Sequence, residues 1–373
     1  MGYNLEAVYQ AALAAFLGYQ AAGKMPGLLE AFGSAQDVLH QSGDTLTKAG
    51  FLTPALDRYW QSEKQRSMPE KIYDFCKKEH VRILTWQDVS YPERLRHITA
   101  PPPVLYVKGE LSGDDPTLAI VGARKATNYG LSVAEQFATA LAASHVCIVS
   151  GGALGVDAAS HNGALKGGGK TLAVLGSGLG FLYPRSNLRL FSQIVENGGA
   201  LMTEFAPWVE PLGRQFPMRN RIIVGLSQAV LVTEAALKSG AMITARLAVE
   251  ENRELLSIPG PITSETSQGT NRLLKEGAHV ITCPEEILQI LGVGVTQEKK
   301  LHYQEPSLFA EVPREEGQKL QALHAHIKNH PGQTLDTLAE QFPWPIAALS
   351  TYLLQLEMAG LIVQDLGNHY RSI

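Results

Sequence analysis

The residues best suited to chemistry sit in three glycine-rich turns and among the cations beside them. Gly122-Ala123-Arg124, Gly151-Gly152-Ala153-Leu154-Gly155 and Gly176-Ser177-Gly178 each follow a short apolar run. Glycine at the end of a strand lets backbone N–H groups approach an anion, and the next helix N-terminus adds a favourable dipole. Arg124 and Lys125 follow the first turn, Lys166 and Lys170 flank a GGG run, and Arg185 and Arg189 sit in YPRSNLRL. Arg219 and Arg221 lie in FPMRNR, with Arg246, Arg272 and Lys275 further on. Aromatic residues interleave with these cations: Tyr129, Tyr183 and Phe216. Cations that track phosphates, set among aromatic faces that stack on bases, are the chemistry of single-stranded nucleic-acid binding.

Nucleotide fingerprints fit less well. The turn at 151–155 is not G-x-G-x-x-G, and no acid follows at the distance that reads a ribose hydroxyl. GGGKT at 167–171 has Ala164 where a phosphate-binding loop needs its first glycine, and Lys170-Thr171 opens a strand rather than a helix. An enzymatic reading would draw on Asp157, His161, Glu204 and Glu234. Asp157 and His161 are four apart and could share a helix face, and the two glutamates follow strands as an acid/base pair would. No H-E-x-x-H motif and no nucleophile beside a base accompanies them. The sequence therefore favours a binding protein without cofactor or metal. A nucleotide-binding or nucleoside-monophosphate-cleaving enzyme of related fold is the alternative.

The elements that must position these turns are legible in the hydrophobic pattern. TLAIVGA, HVCIVSGG, TLAVLGSG, ALMTEFA, AVLVTEAA, ELLSIPG and HVITCP alternate with amphipathic segments such as NYGLSVAEQFATALAAS. Runs this continuously apolar suit parallel strands covered on both faces, and the alternation predicts a doubly wound, Rossmann-like α/β domain over 81–291. In such sheets ligands bind at the carboxyl ends of the strands, where the glycine turns fall. Residues 1–80 read as short helices of a SAM-like or helix-hairpin-helix module, 292–312 as a polar linker, and 313–373 as a winged helix.

At 373 residues the chain is long enough for two or three domains, and 45% hydrophobic with 18% charged residues excludes a disordered or fibrous protein. No apolar run approaches the roughly 20 residues that span a bilayer, and the N-terminus lacks a secretory pattern. Cys76, Cys147 and Cys283 have no paired spacing. A cytoplasmic protein with free thiols is expected, with no membrane contact. The net charge of −4 does not forbid a local basic groove. Over 81–290 there are 18 basic and 18 acidic residues, with the bases mostly in turns and many acids on presumed helix faces.

The ordered set GAR, SGGALGVDAASH, LGSGL…YP, FPMRNRIIVGLS and SGAMITARLA resembles the DNA-processing protein A (DprA/Smf) family. The resemblance covers the central domain most strongly, with the flanking modules in the family's order. It implies an extended Rossmann fold that binds single-stranded DNA without catalysis. It also implies a homodimer that protects incoming DNA and helps load the RecA recombinase in natural transformation and homologous recombination. Together with the strand-end reading, it gives as candidate DNA-binding residues Gly122, Ala123, Arg124, Gly151, Gly152, Lys170, Gly176, Ser177, Gly178, Tyr183, Arg185, Asn187, Phe216, Arg219, Asn220, Arg221, Ser239 and Gly240.

The C-terminal segment departs from a duplex-binding winged helix, which places cations on its recognition helix and wing. No Lys or Arg occurs between Lys328 and Arg371, and 313–373 carries 4 basic against 6 acidic residues. Phosphate neutralisation dominates DNA affinity, so a protein-contact or spacer role is expected. Removing 313–373 should leave single-strand affinity within about tenfold of the full chain; a larger loss in a fluorescence-anisotropy titration would contradict this charge argument.

Overall fold

The computed structural model describes residues 4–52, 57, 60, 67–111, 113, 115–294, 314–358, 361–365 and 369–372. The chain opens with helices α1 (Leu5–Leu17), α2 (Ala21–Phe32), α3 (Ala35–His40), α4 (Gly43–Lys48) and α5 (Met68–Glu79). Strand β1 (Arg82–Thr85), the short helix α6 (Glu93–Arg96) and strand β2 (Val104–Gly109) follow. Strict alternation then begins: β3 (Thr117–Val121), α7 (Asn128–Ala143), β4 (Cys147–Ser150), α8 (Val156–Lys166), β5 (Thr171–Val174), α9 (Leu188–Glu196) and β6 (Ala200–Thr203). It continues through α10 (Gln215–Leu226), β7 (Ala229–Val232), α11 (Gly240–Glu250), β8 (Glu254–Ser257), α12 (Gln268–Lys275), β9 (His279–Val280) and α13 (Pro284–Ile290).

These strands form one nine-stranded sheet in the order β1-β2-β6-β5-β4-β3-β7-β8-β9. From β6 to β9 every pairing is parallel, and β1 and β2 extend the β6 side as antiparallel strands. All seven apolar runs read from the sequence are the parallel strands. Their continuous hydrophobicity has the expected cause. On β3, Leu118 and Ile120 enter one apolar cluster while Ala119 and Val121 enter the cluster on the opposite face. The sequence pattern missed β1 and β2, which stand outside the β/α alternation.

The chain runs from β3 outward to β6, then returns to lay β7 against the other side of β3. The β3/β7 boundary is therefore the topological switch point, where a crevice opens at the carboxyl ends of the strands. Residues 1–294 form one compact unit and 295–373 a second. Leu13, Met25, Leu28 and Ile72 of the N-terminal helices share an apolar cluster with Tyr106, Leu175, Phe191 and Leu201. Residue 80 thus marks a change of texture rather than a break between cores. From 295 onward, the expected linker lies outside the described residues.

The second unit comprises α14 (Arg314–Asn329), β10 (Gln333–Thr334), α15 (Leu335–Gln341), α16 (Ile346–Met358), β11 (Ile362–Asp365) and β12 (His369–Ser372). β12 pairs antiparallel with both β10 and β11, giving the wing, over a core of Leu320, Leu323, Ile327, Leu338, Leu353 and Leu356. Among the described residues no helix is long and apolar enough to cross a membrane. None of the three cysteines is in a disulfide among the described residues, and Cys76 and Cys147 are buried.

Close packing of α7 on α8 depends on small residues. A Cβ on Gly163 would overlap the Glu135 carbonyl and lie 2.9 Å from the Ala138 methyl. Gly163→Val is therefore expected to destabilise the protein by about 1–3 kcal/mol through overpacking. Urea denaturation reads this directly, and an unchanged midpoint would show that the two helices part without cost.

Candidate nucleic-acid interface

An open cleft of about 1070 Å³ occupies the switch point. The β3 turn with Arg124 and Lys125 lines one side, the first turns of α10 line another, and the β7–α11 turn closes it. Arg124 is exposed, and its guanidinium stands 4.9 Å from the Phe216 ring centroid. The Tyr183 ring centroid lies 5.9 Å from that of Phe216, the planes tilted by 46°. One cation and two aromatic faces from three separate elements thus meet at the mouth of the cleft. Such an arrangement can neutralise a phosphate and stack a base together.

Phe216 is held there by its neighbours. A Cβ at Gly176 would fall 2.8 Å from its Cδ1 atom, so only glycine leaves room for the ring against the β5 turn. Gly152 has φ +66, a left-handed conformation that favours glycine. A side chain there would also press on Phe191, 2.8 Å away.

Arg219 is buried, with only 3% exposure. Its Nη1 donates to the Gly151 carbonyl at 2.6 Å and to the Val174 carbonyl, joining α10 to the ends of β4 and β5. Burial pushes its pKa down to about 10, with Asp157 opposing the fall and Arg124 adding to it. It therefore remains charged at neutral pH. Asp157 accepts from the Gly151 and Ala153 amides at 3.1 and 3.2 Å. Burial raises its carboxyl pKa, against the opposing Arg219 charge and these amide hydrogen bonds.

Arg219 thus lines the cleft while its buried guanidinium braces the turns through these carbonyls. Arg221, expected on the same groove, is not among the residues that line the cleft. It makes a two-pronged pair with Glu204, at 2.9 and 2.6 Å, outside the cleft. Arg219, Asn220 and Arg221 are consecutive on a helix, so their side chains point about 100° apart; Arg219 and Asn220 line the cleft and Arg221 does not. The Asn220 Nδ2 donates to Thr244 Oγ1 at 2.9 Å, and both residues line the cleft.

Lys170 precedes β5 and lies 3.6 Å from Asp115, at the amino ends of the parallel strands, so it is remote from the turns. Asn187 is buried, and its Nδ2 donates to the Gly152 and Ala153 carbonyls. Ser177 is likewise buried, donating to the Phe181 carbonyl at 2.7 Å. The Gly151 amide is taken by Asp157, and the Gly178 amide donates to the Val209 carbonyl at 2.8 Å. These four brace the loops and leave the anion-facing role to others.

Gly122, Ala123, Arg124, Phe216, Arg219, Asn220, Ser239 and Gly240 do line the cleft, while Tyr183 packs on Phe216 and Arg185, two residues on, is exposed. The Oγ of Ser239 is buried and has no hydrogen-bond partner among the described residues. Lys238 also lines the cleft and was missed in the sequence. Its place after β7, just before a helix start, was the available signal.

The carboxylates and histidine of the enzymatic reading are occupied separately. Glu234 accepts from Thr127 N and Oγ1 and from Thr266 Oγ1. His161 is fully buried, its Nδ1 2.7 Å from Thr171 Oγ1. Thr171 donates its own hydroxyl to the Ile148 carbonyl, so His161 Nδ1–H donates to Thr171. Among the described residues no group of three or more His, Cys, Asp or Glu side chains could hold a metal.

Residues 82–292 match the family described as DNA recombination-mediator protein A, and 310–368 match the DprA winged helix domain. Protein Smf of Escherichia coli K12 is 40% identical over 320 residues, covering 83% of this chain and 84% of Smf. The DNA processing protein DprA of Streptococcus pneumoniae R6 is 38% identical over 249 residues, 66% of this chain and 85% of that protein. The X-ray structure of S. pneumoniae DprA superposes with a TM-score of 0.64 at 33% identity, covering 78% of this chain and 98% of that one. A Helicobacter pylori DNA processing protein A structure, described as giving insights into its single-stranded DNA binding mode, superposes at 0.52 and 33% identity. It covers 57% of this chain and 97% of its own.

Burial holds the His161 pKa down at about 3, against an ordinary 6.5, with the Arg219 charge adding to the effect. The unfolded chain takes up that proton below about pH 6.5, whereas the folded chain resists until about 3. The histidine's contribution is therefore complete above 6.5 and declines as pH falls, by about 2 kcal/mol at pH 5. Urea unfolding at pH 7 and pH 5 should show His161→Gln losing less stability over this interval than the wild type. Equal losses would mean the imidazole is not held neutral.

Proposed function

As a member of the DNA recombination-mediator protein A family, the chain is one for which we propose single-stranded DNA binding along the carboxyl edge of the parallel sheet. The observation that carries this reading is the meeting of Arg124, Phe216 and Tyr183 at the mouth of the switch-point cleft. Arg124 neutralises a phosphate, Phe216 and Tyr183 receive bases, and Arg185 takes a phosphate further along. Lys238, with Ser239 and Gly240 at the start of α11, supplies a second anion-facing wall to the cleft.

The protein acts without catalysis on the strand it holds. Its role is to protect DNA in recombination and natural transformation, and to pass it to a RecA-type recombinase. Pairing of two copies lengthens the groove. Binding by these means tolerates sequence and weakens steeply with salt, because each neutralised phosphate releases counterions. The winged helix, poor in Lys and Arg, contributes contacts other than duplex binding.

The test is anisotropy titration of a labelled oligothymidine at two salt concentrations. Arg124→Ala should weaken binding and lower the salt slope by about one unit. Phe216→Ala should cost about 1–3 kcal/mol with the slope unchanged. An Arg124→Ala slope equal to wild type would remove the phosphate assignment, and no wild-type binding at low salt would remove the function.

A further inference from the structure

The carboxyl edge of the sheet continues beyond Tyr183. There the β5–α9 and β6–α10 loops run side by side. The Gly178 N–H donates to the Val209 carbonyl at 2.8 Å, and the Gly180 N–H donates to the Pro207 carbonyl at 3.0 Å. A Cβ on Gly180 would stand 2.6 Å from the Pro207 oxygen, and one on Gly178 would overlap the Ala206 carbonyl. Glycines at both places therefore allow the loops to touch. This ladder puts Phe181 and Trp208, each next to a bonded residue, on adjoining loops.

Both rings face solvent, Phe181 at 43% and Trp208 at 40%, beside Tyr183 at 46%. Isolated exposed apolar residues are ordinary, but three large exposed rings on two loops bonded to each other suit a binding surface. Charge favours a nucleic acid as the occupant. Arg185 and Arg189 are exposed on the β5–α9 side. Of the acids on the β6–α10 loop, Glu204 is engaged by Arg221, and Glu210 is exposed. Continuity points the same way, since Tyr183 joins this surface to Phe216.

We propose that Phe181 and Trp208 form a second base-stacking subsite for single-stranded DNA, continuous with the Phe216–Tyr183 platform. Arg185 and Arg189 neutralise the phosphates between the two. The proposal rests on the single-strand reading above and extends it from a point of contact to a track. The first subsite stands at the β3 and β5 turns and the second on the β5–α9 and β6–α10 loops beyond Tyr183. Only an oligonucleotide that runs past Tyr183 reaches both.

The experiment compares labelled oligothymidines of about 4 and about 20 nucleotides, the range of known single-strand site sizes and just beyond. The proteins are full-length wild type, Trp208→Ala, Phe181→Ala and Trp208→Phe. Wild type should bind the long probe more tightly. Trp208→Ala and Phe181→Ala should each weaken the long probe about tenfold and leave the short one, held at Arg124 and Phe216, unchanged. Trp208→Phe should restore most of the loss, which a folding defect would not do. Long-probe affinity unchanged in both alanine variants, or equal losses on both probes, overturns the subsite alone. If wild type binds neither probe, the single-strand reading falls and the subsite falls with it.

Discussion

A single buried guanidinium holds together the surface on which the rest depends. Arg219 reaches from α10 to the Gly151 and Val174 carbonyls, at the ends of two adjacent parallel strands. Those oxygens lie where the ladder stops and need a donor, and a buried cation needs acceptors. Each requirement meets the other. The Asp157 carboxylate and the amides it gathers from Gly151 and Ala153 complete the same knot. Because α10 is pinned here, Phe216, one turn earlier on the same helix, stands over the Gly176 turn and beneath Arg124. The placement of the exposed cation and of the ring is thus set by a buried charge.

This arrangement divides the basic residues by task. Arg219 is spent on carbonyls and Arg221 on Glu204, while Arg124, Arg185, Arg189 and Lys238 are left facing solvent or the cleft. A net charge of −4 is compatible with a local cluster of cations, and Arg124, Lys125 and Lys238 line one cleft at the carboxyl ends of the strands. The glycines divide similarly. Gly176, Gly178 and Gly151 are small because rings, carbonyls or the guanidinium occupy the space of a side chain. Their closeness to an anion is a secondary matter.

Much of this was legible in the sequence. Parallel strands buried on both faces leave continuous apolar runs, so β3 to β9 and the turns at their ends could be read directly. β1 and β2 could not, since an antiparallel edge added before the alternation has no βαβ rhythm to announce it. The candidate cations were read as one class because burial is not visible in residue type. Lys170 illustrates a different failure. It precedes its strand, and in a parallel sheet that places it at the end opposite the turns. Arg219 and Arg221 flank Asn220 in a helix, so their adjacency in sequence is divergence in space. The shared core of the N-terminal helices with Tyr106 and Phe191 is a long-range contact that no local pattern contains.

Photocrosslinking addresses the central claim most directly. An oligothymidine carrying bromodeoxyuridine would be irradiated on the full-length protein, and the attached peptides mapped by mass spectrometry. Crosslinks at Phe216 and Tyr183, suppressed at high salt, are the predicted result. Crosslinks confined to the winged helix or to the amino ends of the strands would contradict it, and the switch-point cleft would then not be where the strand lies.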